Sequence, residues 1–524
     1  MEPKHDLLLA EPMRARARPA SATDRRKVML SMVFALALVV SAVASLNLAL
    51  PDIARATGAS QTGQQWLVDG YAVVFAGLLL PAGALGDRYG RRRMLTIGML
   101  VFGLAYAMAS LTTDVQALIA CRAVAGVGAA LTMPATLSII TASFPLEERS
   151  RAVGTWAGVA GGGAVIGLLL SGTLLEFASW RWVFAANAVW AAIALAMAAR
   201  WAPESRDSHA TSIDPIGGLL SAGGLSAAVY ATIEGPHRGW GDDLVVGGFV
   251  AGAIGLIGFV LWELRQREPL LDPRLFRRSG FASGSLSIAL QFIAFFGFIF
   301  IGLQYLQLVL GYTPLRAALA FVPMGMTIGA LSRQVAPRLS RRVGGARTNS
   351  IGLAIASVGF CLLAGLGPSS SYWHVFAGIV TLGAGMGLAT SPATSAIVAS
   401  LPDSKQGVAS AVNDAAREVG GAIGIAVLGS LLASGYHSGI EPATQGLPPE
   451  AAAHAHESLA FVVHAADQLG PAGDGLVAAA REAFVDGLQS AMWVAAAIMA
   501  CGAAVTALIH RGDEVADAET GVPS

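Results

Sequence analysis

Apolar residues in this chain come in blocks about twenty long, and the arginines, acids and prolines gather between them. Windows of that length pick out fourteen blocks, near 28–50, 66–86, 94–112, 116–138, 152–175, 182–200, 216–234, 244–263, 281–303, 315–335, 349–366, 374–399, 409–433 and 488–509. A helix crosses a bilayer with roughly 20 mainly apolar residues. The blocks lack the period-two alternation of membrane barrel strands. The pattern therefore predicts an all-α polytopic membrane protein of fourteen spans. Glycine, 62 residues in all, falls mostly inside the blocks, where small residues let membrane helices approach closely.

The basic residues set the orientation. With both termini cytoplasmic, 27 of the 34 Lys and Arg lie in cytoplasmic segments, and five (Arg55, Arg181, Arg238, Arg316, Arg481) lie outside. Arg122 and Arg417 fall within spans. This is the asymmetry that cytoplasmic enrichment of Lys and Arg produces. Residues 1–27 read as a cytoplasmic tail, with the first span as a retained anchor rather than a cleaved leader. Residues 511–524 read as a second cytoplasmic tail. The segment 434–487 is expected to be an external loop with an amphipathic helix near Asp474–Gln489. Of the chain, 54% is hydrophobic and only 13% charged, with a mean hydropathy of +0.61. Soluble domains of this length would need about 25% charge. The net charge of zero argues against nucleic acid as a partner. Cys121, Cys361 and Cys501 all sit in spans, so disulfides are not expected.

An internal repeat is visible. Ala125-Gly126-Val127-Gly128, Pro134-Ala135-Thr136 and Ser143-Phe144-Pro145 match Ala384-Gly385-Met386-Gly387, Pro392-Ala393-Thr394 and Ser400-Leu401-Pro402 at offsets of 257 to 259. Leu85, Arg88 and Gly90 are echoed by Leu339, Arg342 and Gly344 at an offset of 254. Two six-helix bundles are predicted, 28–200 and 271–510, with spans 7 and 8 inserted as 201–270. Repeats related about the membrane normal are a transporter architecture, with the substrate between the halves.

Gly83-Ala84-Leu85-Gly86-Asp87-Arg88-Tyr89-Gly90-Arg91-Arg92, after the second span, resembles the loop motif of the major facilitator superfamily. Asn47-Leu48-Ala49-Leu50-Pro51, Trp180-Arg181-Trp182-Val183-Phe184 with Asn187, Pro314-Leu315-Arg316, and Ser410-Ala411-Val412-Asn413 with Arg417 and Gly420-Gly421 are similar to its fourteen-span drug:proton antiporter branch. The resemblance implies the major facilitator fold, alternating access and proton-coupled export of lipophilic or cationic drugs or of an antibiotic-like metabolite. It implies a conformational role for Gly83, Asp87, Arg88, Gly90 and Arg91, with Asp87 pairing to a cation or helix N-terminus on a neighbouring span. Three positions depart from the branch. Ala42 stands where an acid is common, Ala125 replaces a Gln, and Gly167-Leu168 replaces Gly-Pro. In the second loop copy, Arg341 occupies the place of the Asp.

Ionisable groups inside a span cost about 2.5–3.5 kcal/mol each on insertion scales and need a reason. Asp69, expected about one turn from the external face, and Arg122 are the proton-coupling candidates, sharing a polar cavity, with Asp69 in the role Ala42 leaves vacant. Asn47, Asn187, Asn413, Asp414, Arg417 and Glu418 are substrate-cavity candidates. Asp414 and Glu418, four apart, share a helix face, either as an inner gate or as a salt-bridge network that sets packing. Gly126, Gly158, Gly162, Gly167, Gly420 and Gly421 are packing or hinge positions. Phe292, Phe295, Phe296 and Phe298 either line a cavity or face lipid. His454, His456 and His464 are expected in a solvated loop, and no metal site or cofactor is expected beyond the coupled proton. Lys4, Lys27 and Lys405 stand in no P-loop, so the chain is not read as an ATPase or other enzyme. The expected partners are a small-molecule substrate and the bilayer of a bacterial cytoplasmic membrane, with the chain acting as a monomer. A proton-coupled importer and a transporter-like sensor are the alternatives.

Overall fold

In hydrocarbon the backbone must bond to itself, and all fourteen apolar blocks lie on helices in the computed structural model, which describes residues 22–205, 214–267, 269–401, 406–445, 447–469 and 473–520. The N-terminal half comprises α1 (Ala22–Thr57), α2 (Gln61–Tyr89), α3 (Arg91–Ala109), α4 (Val115–Ser143), α5 (Leu146–Phe177) and α6 (Arg181–Trp201). The inserted pair is α7 (Pro215–Arg238) and α8 (Asp243–Glu263). The C-terminal half comprises α9 (Ser279–Gln304), α10 (Pro314–Ala330), α11 (Ala336–Val343), α12 (Gly345–Ala364), α13 (Tyr372–Ala399), α14 (Gln406–Thr444), α15 (Pro449–Glu457), α16 (Leu459–Leu469) and α17 (Asp474–Thr520). Among the described residues, twelve helices are long and apolar enough to cross a bilayer. A thirteenth is α2, bent by 53° between Leu79 and Pro81, where proline removes a backbone donor. The 32-residue α5 stands where the remaining span is expected. Residues 1–21 and 521–524 of the two tails lie outside the described residues.

The halves repeat one packing plan. α1 packs on α5, α2 and α3 on α4, and α3 and α1 on α6; correspondingly α9 packs on α14, α10 and α12 on α13, and α12 and α9 on α17. Close approaches fix the register. A Cβ on Gly128 would come within 2.7 Å of Gly98 O and Phe102 N, and one on Gly385 within 2.6 Å of Gly352 O and of Ala356 N at closer range. Gly128 thus corresponds to Gly385, two residues from the pairing that sequence identity favours, because the contact selects which face of the helix carries the glycine. Gly90 and Gly344 end equivalent helices with φ of +112° and +91°, a region only glycine enters freely.

One expectation is corrected. The segment 434–487 is not one loop: α14 continues to Thr444, α15 and α16 follow, and the helix expected near Asp474–Gln489 is the continuous start of α17. At the C-terminus α17 runs on as far as Thr520. The four phenylalanines of α9 pack inward rather than on lipid, Phe292, Phe295 and Phe296 against one another and Phe298 against Phe321 and Phe360. Lipid contact falls on helices such as α8, where Leu244, Phe249, Ile254, Ile257 and Leu261 are exposed.

Candidate functional site

The contacts that join the halves lie in their external parts. Gln65 of α2 donates from Nε2 to Ile425 O and Ala426 O of α14, each at 3.4 Å. Gln307, in a π-helical turn (Tyr305–Val309) that follows α9, donates to Leu48 O of α1 at 3.0 Å. Gly172 of α5 leaves a Cβ only 3.0 Å from the Leu315 backbone of α10. Below Gln65, Ala72, Val73 and Ala76 of α2 pack with Ala422 and Ala426 of α14 and with Leu225, Val229 and Ile233 of α7. These contacts close the external face.

Asp69 shares the stripe of Gln65, Ala72, Val73 and Ala76 by helical spacing, so it sits on the seam between the halves. It lies eight residues inside α2. It is fully buried, and neither carboxyl oxygen has a hydrogen-bond partner. Arg122 is held apart from it, on another side of α2. Its Nε donates to Leu67 O at 3.0 Å, one terminal nitrogen donates to the Tyr106 hydroxyl, and the guanidinium lies 4.3 Å from the Tyr71 ring centroid. The other terminal nitrogen and the Tyr71 hydroxyl have no partner. The structure does not make Asp69 and Arg122 an ion pair. Arg122 instead bridges α2, α3 and α4.

Asn47 and Asn187 are both buried, and each donates to the carbonyl one turn earlier, Val43 O at 2.9 Å and Val183 O at 2.7 Å. Each keeps a carbonyl oxygen, Oδ1, without a partner. Two buried acceptors on adjacent α1 and α6 are available to a donor that arrives from elsewhere.

On α14, Arg417 lies 3.8 Å from Asp414 and over the Phe292 ring at 4.8 Å. Glu418 comes within electrostatic reach of both and of the Tyr71 hydroxyl on α2. Asp414, Arg417 and Glu418 therefore do form one cluster, and it faces the N-terminal half. Asn413 accepts from Thr394 Oγ1 at 3.0 Å, and its counterpart Trp156 donates to Thr136 Oγ1 at 3.0 Å. The repeat thus carries one polar contact between equivalent helices in each half, α4–α5 and α13–α14, and Trp156 was not legible as part of it from sequence.

In the loop motif, Gly83 leaves a Cβ 3.8 Å from Pro134. Asp87, near the end of α2, pairs at 2.8 Å with Arg91, the first residue of α3, a cation at the N-terminus of the neighbouring span as expected. Arg91 also reaches Ser138 O of α4 at 3.5 Å. Arg88 lies 5.7 Å from the Tyr89 ring and takes no part in that pair. Glu204, which follows α6, accepts from Arg92 N at 3.3 Å beside Gly90. An acid after the sixth block gives no periodic signal, so sequence reading missed it. Arg92 completes the loop by donating to Ala199 O.

The packing glycines have defined surroundings. A Cβ on Gly126 would stand 2.6 Å from Tyr71 O, on Gly420 2.6 Å from Ala289 O, and on Gly421 2.8 Å from Phe296. Gly167 meets the Ser41 backbone, flanked by Ser45 Oγ donating to Gly167 O at 3.1 Å and Ser171 Oγ donating to Ser45 O at 3.0 Å. The absent Gly-Pro leaves a close α1–α5 seam. The surroundings of Gly158 and Gly162 lie outside the described residues. Of the loop histidines, His456 bonds Thr444 and His454 packs on Phe461. No cluster of three metal-ligating residues occurs among the described residues.

Residues 32–425 match the Major Facilitator Superfamily model. The chain is 38% identical over 392 residues to the puromycin resistance protein pur8 of Streptomyces alboniger, covering 74% of this chain and 77% of that protein. It is 34% identical over 472 residues to the multidrug efflux pump LfrA of Mycolicibacterium smegmatis, covering 89% and 92%. Its fold matches a crystal structure of a bacterial homologue of the lysosomal transporter Spinster with a TM-score of 0.68 at 18% identity, over 94% and 98% of the two chains. With its helices paired as two equivalent halves, this multi-pass membrane transporter belongs to the major facilitator superfamily.

Proposed function

We propose that the chain exports lipophilic or cationic drugs, or an antibiotic-like metabolite, from the bacterial cytoplasm in exchange for protons, by alternating access across the cytoplasmic membrane. The relatives named as a puromycin resistance protein and a multidrug efflux pump support the substrate class. The observation that carries the coupling is Asp69, buried and without a partner on the seam that closes the external face.

An unpaired carboxylate there costs several kcal/mol, so the closed external face suits the neutral acid. When the halves part on that side, water reaches the carboxyl and proton exchange with the outside becomes possible. Opening and protonation are thus linked through one side chain. In this reading Arg122 fixes the α2–α3–α4 core beside the seam. Asn47 and Asn187 offer acceptors to substrate, and the Asp414–Arg417–Glu418 cluster, with Asn413, attracts cations on the cytoplasmic approach. Asp87–Arg91 and Glu204 hold the cytoplasmic loop while the halves rock. One chain supplies both halves and the gate, so a monomer suffices, and the proton is the sole coupling ion.

Everted vesicles with an imposed acid interior test this reading. Wild type should accumulate ethidium only while the proton gradient stands, and Asp69→Asn should lose the gradient-driven component. Gradient-dependent accumulation by Asp69→Asn equal to wild type would overturn the role given to Asp69. Gradient-driven loss of ethidium from the vesicles would point to import, and no movement in either direction to a sensor.

A further inference from the structure

One turn outward from Gln65, the α2–α14 seam opens into a cavity of about 400 Å³ on the external face, a volume in the range that holds drug-sized ligands. Gln61 and Trp66 of α2 line it with Tyr436 and His437 of α14. Val115, Gln116 and Ile119 of α4 add to it, and two elements outside the six-plus-six plan complete it: Glu234 and Arg238 from inserted α7, and His456 and Glu457 from α15.

The charges around it do not cancel. Both carboxyl oxygens of Glu234 are engaged, one by Trp66 Nε1 at 3.0 Å and the other by Arg238 at 3.2 Å. His456 donates to or accepts from Thr444 Oγ1 at 2.6 Å and meets the His437 ring edge-on at 4.8 Å. Burial, and then His437, push its pKa below the ordinary value against the opposite pull of Glu441, which disfavours its charged form. Glu457 lines the cavity with no ion-pair or hydrogen-bond partner among the described residues. The carboxylate without a partner, Glu457, lines the same cavity as Trp66 and Tyr436. Rings present a negative face to cations, and aromatic side chains together with an acid suit an organic cation.

We propose that this outer vestibule is a second binding site, reached from the external side, for flat organic cations. It is distinct from the substrate path between the halves and holds whether or not Asp69 carries the proton. Its walls come from α2, α4 and α7 on one side and α14 and α15 on the other, so an occupant favours the closed external face.

Propidium, a membrane-impermeant aromatic dication, is the probe. The full chain carries Thr62→Cys in a background with Cys121, Cys361 and Cys501 changed to Ser. On intact cells, an impermeant maleimide labels position 62, and propidium should protect it saturably. Glu457→Gln should raise the half-protecting concentration at least fivefold. Glu457→Asp, which keeps the charge, should stay within about threefold of the parent, separating charge from folding. Absence of saturable protection, equal protection in Glu457→Gln and the parent, or equal loss in the Gln and Asp variants would each overturn the proposal.

Discussion

Charged side chains in a mostly apolar sequence can be found by counting, but their partners cannot. Asp69 and Arg122 stand out because ionisable groups within spans are rare, and at similar depths they read as a pair. The structure separates them because Arg122 spends its donors on Leu67 O and Tyr106 and its face on Tyr71. Neither tyrosine is distinguishable in sequence from an ordinary apolar filler. Lysine carries the same charge without the planar fork that serves these three partners at once. Arg122→Lys should therefore cut ethidium efflux to roughly a tenth of wild type, the scale of losing about 1.4 kcal/mol of positioning. Membrane expression should stay near wild type. Efflux rates normalised to protein in the membrane check this, and a rate within twofold of wild type would show that the charge alone suffices. The same scale explains Glu204, an unremarkable acid in sequence that closes the loop motif only because the fold returns it to Arg92 and Gly90.

Helices were the legible level. Every apolar block became a helix, and the arginines marked their cytoplasmic ends. Boundaries were less legible where helices leave the membrane: α14 and α17 continue into polar sequence, since a helix already nucleated in lipid extends at little cost. Helix contacts depend on single small residues. Gly126 and Gly167 sit where a Cβ already strikes backbone, so Gly126→Val or Gly167→Val should lower stability by about 1–3 kcal/mol, as overpacking does, measured as a lower thermal midpoint in detergent. The two glutamine contacts across the seam act differently. Buried membrane hydrogen bonds average about 0.6 kcal/mol, so Gln65→Leu with Gln307→Leu should favour the open external face by about 1.2 kcal/mol, or roughly eightfold in population. Greater labelling of seam cysteines from outside, with an unchanged thermal midpoint, is the expected result. Unchanged labelling would mean the seam closes by packing alone.

For the whole molecule, the duplication and the 27-to-5 division of basic residues predict architecture and orientation before any contact is known. They do not show which side is closed. That depends on Gln65, Gln307 and Gly172 meeting partners about 140 to 360 residues away in the chain, a relation no local pattern carries. The outer vestibule is hidden for the same reason, since its walls come from five elements. The central claim is that protonation of Asp69 and closure of the external face are one event. Electron–electron distance spectroscopy between spin labels at Thr62 and Ser434, in lipid nanodiscs, tests it most directly. In wild type the distance should lengthen as the medium goes from about pH 5 to about pH 8, whereas Asp69→Asn should keep the short distance at both. A wild-type distance that ignores pH, or an Asp69→Asn variant that lengthens as wild type does, would contradict it.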